Sequence, residues 1–303
     1  MQQNLTNGQP IELFMGGRNM PTTDDTKILG IKIKTSKADT FTQVVKVTRD
    51  PNGKYGGKVI GFTECLMNDD NPDYCNQVIV QWDPFTMMRL DIMDTDSKTP
   101  NPAKADKIGF VNVFLKDLMA SPILELTQPI AKHNKKKDHS GLMKKSTKKG
   151  TMYIRANIIP PEATITMYNY SFQLRAENLD NKDGLGKSDP FFTISRQRPI
   201  NGVWQKVYRS TVIDNNLSPT WPVVNVPGLQ ISLNNVNCLL KIEVFDYDDD
   251  GTHDLIGEFE TTPHRLMTEP LFKIVHPPTK PKYKRKKYDN SGIMHVNFFR
   301  QEA

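Results

Sequence analysis

The chain has 303 residues, 37% hydrophobic and 24% charged, which leaves room for two domains with cores of their own and excludes wholesale disorder. Its three cysteines, Cys65, Cys75 and Cys238, are too few and too odd in number for a disulfide framework. The net charge of +6 is uneven: residues 132–149 hold eight lysines against one aspartate, the rest of the chain sums to −1, and a second run, Lys280 to Lys287, adds six positive charges. Such patches suit an anionic surface and do not describe a generally basic protein.

The N-terminal MQQNLTNGQP lacks the layout of a signal peptide, no apolar run approaches a membrane span, and myristoylation and prenylation motifs are missing. The expectation is a cytoplasmic protein whose membrane contact is peripheral. Farther along, TECLMNDDNPDY (Thr63 to Tyr74) and the stretch from Met87 to Phe114 return later in the same order, as STVIDNNLSPTW (Ser210 to Trp221) and LLKIEVFDYDDDGTHDLIGEFET (Leu239 to Thr261). The chain is therefore expected to hold two copies of one domain, residues 1–158 and 159–303.

Asp117–Leu126 is the nearest approach to a helix, and Pro122 interrupts it. Residues 132–149 predict a long loop or linker extended by lysine repulsion, and Pro160-Pro161 a stiff entry to the second copy. Strands are expected over Thr164–Arg175, Pro190–Gln197, Val203–Ser210, Pro222–Ser232, Ile256–Thr261 and Ile293–Arg300. Between them, Cys238 to Phe245 alternates with a period of two. Turn clusters rich in Asn, Asp, Gly and Pro punctuate these runs. The predicted fold class is all-β: two tandem antiparallel sandwiches.

Two segments of the second copy carry the chemistry. LDNKDGLGKSDPFF supplies Asp183 and Asp189, and FDYDDDGTHDLIGE supplies Asp246, Asp248 and Asp254. Loops at one end of a sandwich can bring them together, and five carboxylates there would repel without a cation. Ca2+, with six to eight oxygen ligands in flexible geometry, suits the set better than Mg2+, and no Cys/His set has zinc spacing. An EF-hand reading of Asp246-x-Asp248-x-Asp250-Gly251 fails because the twelfth position is Gly257 and the eighth His253.

LDNKDGLGKSDPFF, NNLSPTW, FDYDDDGTHDLIGEF and the closing YDNSGIMHVNFF together resemble the second C2 domain of copines, calcium-dependent phospholipid-binding proteins, over about residues 160–300. The resemblance implies two eight-stranded C2-type sandwiches, with calcium ligands at Asp183, Asp189, Asp246, Asp248 and Asp254. The first copy matches less closely. Asp24, Asp94, Asp96 and Asp106 are a possible weak metal set there, and Gly30 falls at the position of Asp189, so a degenerate site is expected. Copines continue into a von Willebrand A-type domain with an Asp-x-Ser-x-Ser motif. This sequence has no such motif, so it is either a tandem-C2 relative or a fragment.

The expected function is reversible, calcium-dependent recruitment to anionic phospholipid membranes in signalling or membrane trafficking. Leu185 at a loop tip and Lys187 are the expected lipid contacts. Lys135, Lys136, Lys137, Lys144 and Lys145, with Lys282, Lys284, Arg285, Lys286 and Lys287, form the basic patches. A calcium-insensitive structural adaptor for protein partners is the alternative, and nucleic-acid association through the lysine runs ranks last, with no nucleic acid expected. No catalytic motif of the P-loop, G-x-S-x-G or HExxH kind occurs, so no enzyme is expected. Trp221 and Tyr74 are expected in the core, and His253 is expected to be a plain loop residue.

Overall fold

A computed structural model describes residues 5–302 apart from 22–24, 29–30, 35–36, 50–54, 96–97, 132–149 and 279–287. The chain divides into two compact units, Met1–Ile159 and Pro160–Ala303.

In the first unit the strands are β1 (Pro10–Arg18), β2 (Asp25–Ile28), β3 (Ile31–Lys34), β4 (Thr40–Arg49), β5 (Tyr55–Phe62), β6 (Val78–Gln81), β7 (Met87–Asp94), β8 (Asp106–Phe114), β9 (Glu125–Pro129) and β10 (Thr151–Ile158). The short helix α1 (Leu115–Ala120) follows β8. Two antiparallel four-stranded sheets result, ordered β6-β1-β10-β9 and β5-β4-β7-β8, with β2 and β3 paired as a separate two-stranded ribbon.

The second unit holds β11 (Asn169–Glu177), β12 (Pro190–Gln197), β13 (Trp204–Arg209), β14 (Val224–Pro227), β15 (Leu240–Asp246), β16 (Asp254–Thr261), β17 (Leu271–Lys273) and β18 (Ile293–Glu302). Its sheets are β14-β11-β18-β17 and β13-β12-β15-β16. Among the described residues each unit thus holds an antiparallel sandwich of two four-stranded sheets, the first unit with the β2–β3 ribbon besides, the all-β class expected from the strand pattern.

Alternation explains the strands locally. Along β15, Leu240, Ile242, Val244 and Asp246 are buried while Lys241, Glu243 and Phe245 are partly exposed. The period-two pleat places the first set on the inner face. Each aliphatic side chain so buried contributes roughly 1.5–3 kcal/mol. The inner face of the second unit also holds Trp221, set edge-on to Phe192 at 4.8 Å between ring centroids, and Phe172, stacked on Phe299 at 5.2 Å.

Trp221 and Tyr74 are both fully buried and sit at equivalent places. The Trp221 amide donates to the Leu174 carbonyl, and the Tyr74 amide to that of Met15. Gly257 and Gly109 match as well, each at a point where another segment crosses the sheet closely. A Cβ on Gly109 would lie 2.5 Å from the Ala131 carbonyl oxygen, and one on Gly257 would lie 3.0 Å from the Val275 backbone.

Two expected strands are corrected. Within Pro222–Ser232 only Val224–Pro227 is strand, and the short helix α2 (Gly228–Ser232) completes the segment. Within Thr164–Arg175 the strand begins at Asn169, after a 3-10 turn over Pro161–Thr164. A third short helix, α3 (Pro263–Thr268), starts with the Thr262 hydroxyl accepting the Arg265 amide. No helix among the described residues is long and apolar enough to cross a membrane.

Candidate metal centre

Sheet register places the second unit's aspartates. Pro190, Asp246 and Asp254 are paired across β12, β15 and β16, so the strand ends stand side by side. Asp189 immediately precedes β12. Its amide donates to Asp246 Oδ1 at 2.6 Å, and its carbonyl accepts the Tyr247 amide. Its own Oδ1 accepts the Asn215 amide at 2.5 Å, with Asn215 in the left-handed conformation (φ 52).

The loop between β11 and β12 is closed on itself. Asn181 accepts the Ser188 amide at 2.9 Å and donates to the Gly186 carbonyl, while Ser188 Oγ accepts the Lys182 amide. Asp180, at its base, accepts from Ser291 Oγ at 3.0 Å. This clamp projects Asp183 and the loop tip, where Leu185 is 96% exposed and Lys187 is exposed.

Electrostatics ties the two loops together. Loss of solvation raises the Asp183 carboxyl above the usual carboxylate range, and the charges of Asp246 and Asp189 raise it further. Asp248 is raised in the same way, by desolvation and then by Asp246, Asp254 and Asp250. Asp246, 2% exposed, is thus felt from both loops. The donor set is anionic and all-oxygen, which fits a hard cation such as calcium. The side chains are not closed into a cage: among the described residues no three His, Cys, Asp or Glu side chains are gathered closely enough to grip one ion.

His253 belongs to the second loop's framework. Its Nδ1 accepts the Asp248 amide at 3.1 Å, its ring stacks on Tyr247 at 4.9 Å, and Arg209 Nη2 lies 3.0 Å from its Nε2. The guanidinium of Arg209 also covers the Phe191 ring at 4.2 Å. The segments flanking this loop are strands, whereas an EF-hand loop is flanked by helices.

The first unit repeats this geometry with one residue that the sequence comparison missed. Asp39 immediately precedes β4. Its amide donates to Asp94 Oδ1 at 2.9 Å, its carbonyl accepts the Thr95 amide, and its Oδ1 accepts the amide of Asn68 (φ 52) at 2.5 Å. These are the three bonds of Asp189. Thr40, Asp94 and Asp106 pair across β4, β7 and β8 as Pro190, Asp246 and Asp254 do in the second unit.

The counterpart of Asp189 is therefore Asp39 and not Gly30. The connection from β1 to β4 spans residues 19–39, against 178–189 between β11 and β12, so counting from Met20 stops short. The signal that finds it is Ala-Asp-Thr-Phe (38–41) beside Ser-Asp-Pro-Phe (188–191). Burial, followed by the charges of Asp39, Asp94 and Glu64, pushes the Cys65 thiol up to about 12, which marks Asp39 and Asp94 as close neighbours of one spot.

Asp24 and Asp96 lie outside the described residues. So do the basic patches, Lys135, Lys136, Lys137, Lys144 and Lys145 as well as Lys282, Lys284, Arg285, Lys286 and Lys287.

Residues 172–273 match the C2 domain family. Among curated proteins the chain is similar to Copine-A of Dictyostelium discoideum, 26% identical over 267 residues covering 86% of this chain. It is also similar to Copine-C of the same organism, 28% identical over 253 residues and 81% of the chain. The chain spans 40% and 43% of those relatives' lengths. Among solved structures it is similar to BON1-C2B, at 23% identity and a TM-score of 0.37 over 45% of this chain and 92% of that one. The calcium-bound pair of C2 domains of Extended-Synaptotagmin 2 aligns over 98% of this chain and 99% of that one, at 12% identity and a TM-score of 0.35.

Proposed function

We propose that this copine-like chain, with C2-type sandwiches in both halves, binds anionic phospholipid membranes reversibly under the control of calcium. The observation that carries the proposal is the field centred on Asp246. Asp183 on one loop and Asp248 on the other are both raised above their ordinary range, first by loss of solvation and then by the charge of Asp246, although they are far apart in sequence.

Asp183, Asp189, Asp246, Asp248 and Asp254 would hold the metal in the second unit. Bound there, calcium supplies positive charge that neutralises the cluster and offers open positions to lipid phosphate or carboxylate oxygens. Without the metal, these carboxylates repel an anionic leaflet. Asp189 and Asp246 fix the base of the site through their backbone bonds, and the Asn181–Ser188 clamp sets the height of the first loop. Leu185 at its tip enters the lipid interface, contributing at most about 1.5–3 kcal/mol when fully buried, and Lys187 adds about 1 kcal/mol at an anionic surface. Such terms give reversible attachment and not permanent anchoring.

In the first unit, Asp39, Asp94 and Asp106 supply the equivalent positions, so that unit too would hold a metal. The chain acts as a binding module and not as a catalyst, at the cytosolic face of membranes in signalling or trafficking. Sedimentation with phosphatidylserine vesicles tests this: the protein pellets with calcium and returns to the supernatant with chelator. Equal pelleting in both conditions overturns the calcium control.

A further inference from the structure

Gly150 and Gly292 hold equivalent places, each where a late segment of its sandwich meets the end of the first long strand. Their carbonyls accept the Ile130 and Ile274 amides at 3.0 and 2.9 Å. A Cβ on Gly150 would lie 2.9 Å from the Pro21 ring and 3.0 Å from the Asn19 carbonyl oxygen. One on Gly292 (φ 134) would lie 2.8 Å from Leu179 and 3.1 Å from the Glu177 carbonyl oxygen. Met20 and Leu179 match as well, their amides donating to the Asp70 and Leu217 carbonyls. This close backbone contact is common to both units and belongs to the fold.

The next residue differs. Pro21 follows Met20, whereas Asp180 follows Leu179. A proline offers neither an amide hydrogen nor a carboxylate, and Asp180 uses both. Its amide donates to the Ser291 carbonyl at 2.9 Å, and its Oδ2 accepts from Ser291 Oγ at 3.0 Å. A hydroxyl has one proton to give, so the Tyr288 hydroxyl donates to Ser291 Oγ at 2.8 Å and accepts the His276 amide at 2.7 Å. Three donors in series thus point from His276 through Tyr288 and Ser291 to a carboxylate. Ser291 is 1% exposed, and in such a setting charge-assisted bonds strengthen one another.

The first sandwich forms with Pro21 in place of Asp180, so the fold does not require this relay. Asp180 adjoins Asn181, where the clamp of the first aspartate loop begins, and precedes Asp183 by three residues. We propose that Tyr288 and Ser291 are positioning residues that, acting through Asp180, brace the first aspartate loop of the second unit. As a brace for a metal site the inference rests on the function proposed above. As a brace for the loop it is read without metal.

The test is amide hydrogen exchange of the full chain in chelator, read by mass spectrometry. The reporters are the Lys182 and Ser188 amides, bonded within the loop to Ser188 Oγ and Asn181 Oδ1. Ser291→Ala exchanges them about tenfold faster, the loss of a hydrogen bond to a charged group, and Tyr288→Phe about twofold faster. The double variant matches Ser291→Ala alone, because the relay is already cut. Asp180→Asn keeps an acceptor oxygen and accelerates the reporters less than Ser291→Ala does. Residues 247–253 exchange at the wild-type rate in every variant, and calcium slows the reporters in every protein.

Unchanged reporters in Ser291→Ala overturn the proposal, as does a double variant whose two effects multiply. Acceleration spread equally over β11, β12 and β15 also overturns it, since the residues then serve only the fold. The expected pattern among the variants, with no slowing by calcium in the wild type, upholds the brace and discards the calcium reading instead.

Discussion

Replacing Asp246 with Asn separates a structural role of this residue from an electrostatic one. The side chain is 2% exposed, and its Oδ1 accepts the Asp189 amide at 2.6 Å. An Asn Oδ1 can accept the same bond, so the base of the site stays in place. What disappears is a negative charge felt by both Asp183 and Asp248. In chelator the variant should therefore melt no lower than the wild type, because the like-charge repulsion has eased.

In calcium the order reverses. At a free concentration about a hundredfold above Kd, a bound metal adds about 2.7 kcal/mol. For a unit the size of Pro160–Ala303 that corresponds to a rise of about 8–10 °C. Scanning calorimetry of the full chain should show this rise in the wild type and its loss in Asp246→Asn. An equal rise in both proteins refutes the reasoning. A variant several degrees less stable in chelator refutes it too, since Asp246 would then act first as a structural acceptor.

Three further outcomes follow from the same geometry. Asp183 and Asp248 have folded values above their unfolded ones, so their contribution to stability is lost as pH rises from the ordinary carboxylate range through the raised values. Protons compete with the metal in that same window, and calcium titrations at falling pH should show affinity dropping before the unit unfolds. Gly257→Ala places a Cβ 2.8 Å from Ile274 Cγ2 and 3.0 Å from the Val275 backbone, so chemical denaturation should show a loss of about 1–3 kcal/mol. Asp39→Asn should reduce calcium uptake by the first unit and leave the second unit's melting shift intact. An unchanged calcium stoichiometry would place Asp39 outside the metal site.

The sandwich was legible because its strands are amphipathic on a period of two, as Leu240 to Asp246 illustrates. The repeat was legible because TECLMNDDNPDY and STVIDNNLSPTW keep the same order of turn, proline and aromatic residue. Helix α2 was not, since five residues complete barely more than one turn and cannot separate a period of 3.6 from one of two.

Asp39 was hidden for a different reason. Counting along the chain assumes loops of equal length, and the inserted ribbon breaks that assumption, whereas the hydrogen bonds of Asp39 to Asp94, Thr95 and Asn68 depend only on where the strands end. The sequence suggested that the aspartate loops meet, but not which residues stand side by side: the pairing of Pro190, Asp246 and Asp254 comes from the register of β12, β15 and β16.

A calorimetric calcium titration of the full chain, run beside a double variant carrying Asp183→Asn and Asp246→Asn, tests the metal centre most directly. The wild type should give a saturable heat, and the variant should lose the share that belongs to the second unit. Identical isotherms, or no heat from the wild type at millimolar calcium, would mean that these acidic loops serve some other end.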